Sequence, residues 1–189
     1  MSEYRIRGVN GPVVTVVGGS GLAMMDMVYV GDEHLIGEVV GVRGGLTTVQ
    51  VYEDTAGVAP GQSVVSKGEP MSLKLGPGLL SHIFDGIARP LTVIQDKSGP
   101  FIGRGINISS LDEEKRWDTT VTLKLGDAVR PGTLYAECPE TTLIKHRCIA
   151  PVGVSGTVTK VLPNGSYNVD EVLAEVTEPS GKVHQLRLS

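Results

Sequence analysis

The residues best suited to chemistry lie in the stretch GPGLLSHIFDGIARPL, which runs from Gly76 to Leu91. Its apolar residues have the spacing of one helical face, which predicts a short helix ending at Arg89, before a proline. On such a helix His82, Asp85 and Arg89 would lie on neighbouring turns, where a base, a carboxylate and a cation could form a catalytic cluster. A packed or solvated helix face explains the same three residues, and we favour that interpretation.

The predicted helix has an apolar face that needs a partner. This face contains Leu79, Leu80, Ile83, Phe84 and Ile87. A helix of so few residues is marginal by itself. We therefore expect the face to be covered, either by the β domain that follows it or by a contact with another chain.

Two glycine-containing stretches match phosphate-binding loops only in part. Gly181-Lys182 resembles the end of a Walker A loop, but Val183 stands where Ser or Thr is required and predicted strands surround it. The stretch GGSGLAMMD, residues 18–26, has Met24 where a dinucleotide loop needs Gly or Ala, and no helical pattern follows. A connection between strands explains the second stretch better.

Cysteine and histidine residues in the second half raise the question of zinc. Cys138, His146 and Cys148 lack the C-x-x-C spacing, and no fourth ligand is evident. Strand alternation places His146 and Cys148 on one face of the same strand. Two cysteines are too few for a disulfide framework, so free thiols are expected. The sequence thus predicts no catalytic, cofactor-binding or metal-binding residue.

Composition favours short strands over a helical bundle, because the 189 residues include 25 Gly and 11 Pro and only 4% are aromatic. The first seventy residues hold four basic and eight acidic side chains and account for the whole net charge of −4. This charge argues against an RNA-binding barrel and predicts no nucleic-acid partner. No apolar run is long enough to cross a membrane, and the N-terminus has no signal-peptide apolar region.

The first seventy residues alternate between apolar runs and turn residues. Strands are predicted near residues 4–9, 13–17, 27–30, 35–43 and 46–52. Gly44 and Gly45 predict a tight hairpin with both residues at positive φ. Five or six short strands most simply close into a small barrel, because closure removes exposed strand edges.

The second half is predicted to be a second all-β domain. Its strands are expected within residues 119–125, 132–138, 142–150, 155–162, 166–176 and 182–188. Asn164-Gly165 predicts a hairpin turn with two positive φ angles. The fold class is therefore all-β: a small N-terminal barrel and a second β domain of barrel-sandwich type, joined by a short helical connector.

One alternative rests on the stretch GTLYAECPETTLIKHRCIAPVGVSGTVTKVL, which resembles the biotinyl/lipoyl carrier fold. In that family the modified lysine lies at a hairpin tip, eight residues before the Pro of an Ala-Pro turn. Counting back from Pro151 reaches Leu143, and Lys145 lies two residues too late, inside a predicted strand. The alternative is therefore a carrier-type domain without a correctly placed lysine.

The chain as a whole resembles the N-terminal third of the catalytic A subunit of archaeal/vacuolar-type rotary ATPases. The stretches that carry the resemblance are GVNGPVVTV, HLIGEVVGV, TTVQVYEDTAGVAPGQSV, LGPGLLSHIFDGIARPL, FIGRGI, GDAVRPGTLYAE and HRCIAPVGVSGTVT. The resemblance implies a crown barrel at residues 1–70, a connector at 71–91 and an inserted bulge, or non-homologous region, at 92–189.

The resemblance also implies a role in ATP synthesis or hydrolysis coupled to H⁺ or Na⁺ transport by the full complex. The implied partners are the B subunits of the hexameric head and the peripheral stalk. The implied location is cytoplasmic, at the membrane only through the complex. The family's Walker A loop and catalytic glutamate are expected beyond residue 189, with the ATP, ADP and Mg²⁺ that they bind. We therefore expect a fragment that is inactive alone and holds no cofactor.

Overall fold

A computed structural model describes residues 4–18 and 21–189. The chain divides into two compact units. The first unit combines Met1–Leu73 with Val93–Asn107, and the second combines Lys74–Thr92 with Ile108–Ser189. The chain therefore passes from the first unit to the second, back to the first and again to the second, all within residues 73–108.

The first unit contains a closed, antiparallel barrel of six strands. The strands are β1 (Tyr4–Asn10), β2 (Val13–Val17), β3 (Asp26–Val30), β4 (Leu35–Arg43), β5 (Leu46–Val51) and β6 (Ser63–Pro70). Their order around the barrel is β1-β2-β5-β4-β3-β6, and β6 pairs with both β1 and β3 to close it. The predicted barrel is confirmed.

Alternation of side chains explains why these strands form a barrel. In β2, Val14 and Val16 are buried while their neighbours are half-buried, and β5 repeats the pattern with Val49 and Val51. The hairpin between β4 and β5 has the predicted backbone, with φ of 56° at Gly44 and 78° at Gly45. Positive φ at both positions matches the right-handed twist of the flanking strands.

The second unit contains two four-stranded antiparallel sheets. The strands are β7 (Trp117–Val121), β8 (Ala128–Val129), β9 (Leu134–Pro139), β10 (Lys145–Ile149), β11 (Gly156–Val161), β12 (Gly165–Tyr167), β13 (Ala174–Thr177) and β14 (Val183–Leu186). One sheet has the order β10-β9-β7-β12 and the other β14-β13-β11-β8. A single apolar core joins side chains of both sheets, such as Tyr135 and Val176.

The predicted hairpin at Asn164-Gly165 is wrong. Neither residue has positive φ, and β12 pairs with β7 instead of folding back on β11. The side-chain Oδ1 of Asn164 accepts a hydrogen bond of 2.9 Å from the N–H of Val121. The side chain of Asn164 therefore bonds a distant strand, and this bond replaces the local side-chain bond that a turn at Asn164 would use.

The predicted helix between residues 79 and 89 is also wrong, because those residues form turns and irregular backbone. The helix of the structure, α1 (Leu91–Ser98), begins directly after Pro90. The backbone of the connector includes positive φ at Gly78, Ser81 and Ala88, which no α-helix accepts. The proline that was expected to end a helix therefore precedes one.

Candidate functional site

The connector lies directly on the core of the second unit. A Cβ added to Gly76 would stand 2.9 Å from Leu111 Cδ1, and one added to Gly78 would stand 3.2 Å from Trp117 Cζ2. Leu79 packs against the same core. Glycine at both positions therefore lets the backbone approach the core more closely than any side chain would permit.

The expected cover of the connector's apolar residues is found in part. Leu79, Phe84 and Ile87 are half-buried, and Phe84 forms an isolated β-bridge with Pro90. Leu80 and Ile83 are 45% and 69% exposed. The connector thus presents apolar side chains on its outer side although its inner side is packed.

Asp85 and Arg89 are brought together, but as a structural pair. The carboxylate of Asp85 accepts hydrogen bonds from the backbone N–H groups of Ile87 and Arg89, at 3.1 and 2.8 Å, and from Arg89 Nε at 2.8 Å. Burial alone would raise the pKa of Asp85, but these hydrogen bonds outweigh it and lower the pKa. The pair holds the loop that replaces the predicted helix.

His82 does not join this pair. Its side chain is exposed, and its ring lies 6.4 Å from the ring of Phe84 in a tilted contact. The predicted spacing of His82, Asp85 and Arg89 depended on a helix that does not form. The arrangement therefore gives no base–carboxylate–cation cluster at these three residues.

The cysteines and His146 occupy the hairpin of β9 and β10. Cys138 and Cys148 are free and buried, and burial raises the pKa of the first thiol to about 11 and of the second to about 12. His146 and Cys148 share the inward side of β10, as expected from alternation. Within residues 4–18 and 21–189, no three or more His, Cys, Asp or Glu side chains are grouped to hold a metal ion.

Glu140 is a residue that the sequence did not single out. It begins the tip between β9 and β10, and one carboxylate oxygen accepts hydrogen bonds from the N–H groups of Gly78 and Leu80, at 2.8 and 3.1 Å. The other oxygen lies 3.4 Å from Nδ1 of His146. The connector and the hairpin thus meet at one carboxylate.

The hairpin tip also tests the geometry of the carrier alternative. Leu143 stands at the tip and is 93% exposed, in the position where a carrier protein would place its lysine. Lys145 is the first residue of β10, where its Nζ donates to the carboxylate of Glu137 at 2.8 Å. A swinging arm requires a lysine at the tip, and this chain has leucine there.

Neither glycine-containing stretch forms a strand–loop–helix unit among the described residues. Gly181 and Lys182 lie in the turn between β13 and β14, closed by a 2.9 Å bond from the N–H of Gly181 to the carbonyl of Glu178. Residues 19 and 20 lie outside the described part. In the rest of that stretch, the carboxylate of Asp26 accepts the N–H of Ala23 at 2.8 Å in the link from β2 to β3.

A second unpredicted element is the segment 99–107, which bonds to residues of the barrel unit. Arg104 pairs with Glu33 at 3.0 Å and also donates to the carbonyl of Ala56. The N–H of Gly105 donates to the carboxylate of Glu53 at 2.8 Å. These bonds explain why the segment belongs to the first compact unit, although the resemblance implied that residues 92–189 form one inserted region.

Comparison with known families identifies both β units. Residues 6–68 match the model of the ATP synthase alpha/beta family beta-barrel domain. Residues 108–189 match the model of the ATP synthase alpha/beta subunit barrel-sandwich domain. The two matched ranges correspond to the closed barrel and the two-sheet unit, and they give the carrier alternative no support.

Individual relatives agree with these matches. The V-type ATP synthase alpha chain of Halothermothrix orenii is 49% identical over 180 residues, which cover 95% of this chain and 30% of the relative. The V-type ATP synthase alpha chain 2 of Clostridium tetani is 46% identical over 97% of this chain and 31% of its own length. The A subunit of the A-type ATP synthase of Pyrococcus abyssi is 42% identical over all of this chain and 18% of the relative.

The chain thus spans less than a third of the length of these relatives. Within the described part of the chain, no helix has the length and apolar character needed to cross a membrane. The barrel, the two-sheet unit and the collinear identity to several relatives agree with one another and with the resemblance found in the sequence. The chain belongs to the ATP synthase alpha/beta family, of which it contains the barrel domain and the barrel-sandwich domain.

Proposed function

We propose that this chain is the barrel and barrel-sandwich portion of the catalytic A subunit of an archaeal/vacuolar-type ATP synthase. The observation that carries the proposal is the collinear identity of 42–49% to three such proteins over 95% or more of the chain. In the complete complex, the proposed activity is ATP synthesis or hydrolysis coupled to H⁺ or Na⁺ transport. The proposed location is cytoplasmic, at the membrane periphery through that complex.

The proposed direct role of the chain is assembly. Residues 1–70 would join the B subunits in a crown of barrels, and residues 71–91 would connect them to the bulge. The bulge that contacts the peripheral stalk would be formed by residues 92–189, apart from Val93–Asn107, which belong to the first compact unit. The outer face of the barrel supports a role in contacts, because Val40, Val42 and Val65 are each about half exposed there. A closed barrel has no free strand edge for pairing, and exposed apolar side chains of this kind are available for contacts.

We further propose that the chain does not bind MgATP through a phosphate loop. Its sequence has no G-x-x-x-x-G-K-[ST], so it lacks the N–H cradle, the lysine and the hydroxyl that hold the phosphates and Mg²⁺. Isothermal titration of the 189-residue chain with MgATP should therefore give no binding heat. The full-length alpha chain of Halothermothrix orenii is the positive control. Micromolar binding by the 189-residue chain would overturn this part of the proposal.

A further inference from the structure

We propose that Glu140 is a positioning residue whose carboxylate holds connector residues 76–80 in one conformation on the barrel-sandwich unit. We propose in addition that protonation of this carboxylate releases the segment. Both statements concern contacts within the second compact unit, and neither depends on the proposed role in an ATP synthase.

Glu140 has a buried carboxylate that bonds two backbone groups of the connector. Its side chain is 5% exposed, and a single oxygen accepts two backbone N–H groups of the connector, from Gly78 and Leu80. These donors lie about sixty residues away in the chain, at alternate positions of one short stretch. Hydrogen bonds to an ionised acceptor are stronger than neutral ones, so the carboxylate contributes more here than an ordinary loop contact.

The backbone of Glu140 is itself held by hydrogen bonds of the hairpin tip. The N–H groups of Glu140 and Thr141 both donate to the carbonyl of Ile144, at 3.0 and 3.1 Å. The hydroxyl of Thr141 accepts the N–H of Ile144 at 3.0 Å. These bonds are internal to the hairpin tip and do not involve the connector. They fix the backbone that carries the carboxylate, so the acceptor is preorganised for the N–H groups of the connector.

The stretch bonded by the carboxylate has a constrained backbone at Gly78. Gly78 has a φ of 107°, and Trp117 lies 3.2 Å from the position of a Cβ there. The side chain of Leu80, at the end of the bonded stretch, is exposed, and so is that of Ile83 beyond it. The carboxylate thus fixes the point at which the packed part of the connector becomes an exposed apolar loop.

The charges around Glu140 give the sign of the pH dependence. His146 faces it from β10, the neutral thiol of Cys138 faces it from β9, and the connector presents N–H groups. Burial would raise the pKa of Glu140, but hydrogen bonds from Leu80, Gly78 and His146 outweigh it and lower the pKa below its ordinary 4.5. The contact therefore contributes fully above about pH 4.5 and is lost as pH falls through the lower folded-state value.

Amide hydrogen exchange, measured by NMR on the 189-residue chain, tests the positioning role. In Glu140→Ala, exchange at Gly78 and Leu80 should accelerate roughly tenfold or more, while amides of β9 and β10 keep their protection. Glu140→Gln keeps an oxygen acceptor without the charge and should give an intermediate rate. Glu137→Ala, which removes a carboxylate of the same hairpin that bonds Lys145, is the control and should leave both amides unchanged.

Unchanged exchange at Gly78 and Leu80 in a folded Glu140→Ala protein would overturn the proposal. If the amides of β9 and β10 also lose their protection from exchange in that variant, a pH titration of the unaltered chain tests the proposal instead. The carboxyl carbon of Glu140 and the amides of Gly78 and Leu80 should then share one midpoint, below pH 4.5. Amide shifts that do not follow the carboxyl titration would overturn the proposal equally.

Discussion

Replacing Gly156 with alanine is expected to lower the free energy of unfolding of the barrel-sandwich unit by about 3 kcal/mol or more. Gly156 begins β11 with a φ of 152°, and an added Cβ would lie 2.3 Å from the carbonyl oxygen of Thr177. The same Cβ would lie 2.7 Å from the carbonyl carbon of Thr177. These are backbone atoms beside the β11–β13 pairing, so relief of the collision must break hydrogen bonds between the two strands.

Gly153→Ala is the matched control for this substitution. Gly153 also has positive φ, at 91°, but an added Cβ would meet no atom within 4 Å. Gly153→Ala should lower the free energy of unfolding by only about 1 kcal/mol, because alanine disfavours positive φ but meets no neighbouring atom. Denaturant unfolding followed by the fluorescence of Trp117, the one tryptophan of the sequence, reports on this unit. Equal midpoints for the two variants would contradict the close approach at Gly156.

The second large effect is expected at Leu35 in the barrel. This residue begins β4, is fully buried and belongs to the barrel core. Leu35→Ala should lower the free energy of unfolding of the barrel by about 3 kcal/mol, because a cavity remains where the side chain was. Val42→Ala, at a half-exposed position of the same strand, should cost less than about 1 kcal/mol.

Amide signals of β1–β6 in a urea titration measure this effect for the barrel alone. A similar shift of the midpoint for Leu35→Ala and Val42→Ala would contradict the assignment of Leu35 to the core. Signals of β7–β14 in the same titration act as an internal reference, because those strands belong to the other compact unit.

Strands with strong alternation or a clear bounding turn were predictable from the sequence, and those with neither were not. The bounds of β2 agree with the prediction because buried and half-buried residues alternate along it. The bounds of β4 agree although its first three residues are all buried, because the turn at Gly44 and Gly45 ends it. In β6 only Val64 is buried, so its pattern carries little periodic signal although it closes the barrel. The two-residue β8 (Ala128–Val129) lies between the predicted strands 119–125 and 132–138, where no strand was predicted.

The connector shows how a local pattern can fail. Apolar spacing favoured a helix, but the carboxylate of Asp85 bonds backbone N–H groups that a helix would use otherwise, and Gly78 is fixed against Trp117. The first effect depends on one particular side chain and the second on a tertiary contact. The spacing of apolar residues carries no information about either. The same applies to Asn164, whose side chain bonds a distant strand.

The contacts of Glu140 could not be predicted for a different reason. The chain separation between Glu140 and its donors Gly78 and Leu80 is about sixty residues, and no spacing rule joins such positions. The link from Arg104 to Glu33 spans seventy-one residues and was missed in the same way. Sequence patterns locate strands and turns, whereas such pairs depend on which distant segments come together within each compact unit.

Exchange of domains in a complete relative is the most direct test of the proposed assembly role. The matching region of the Halothermothrix orenii alpha chain would be replaced by this chain, and the chimera produced with the other head subunits of that complex. Native mass spectrometry should show heads of the same composition as the unaltered protein, and Gly156→Ala in the chimera should reduce their yield. A chimera whose two β units are folded by amide exchange but which forms no head would contradict the proposed assembly role.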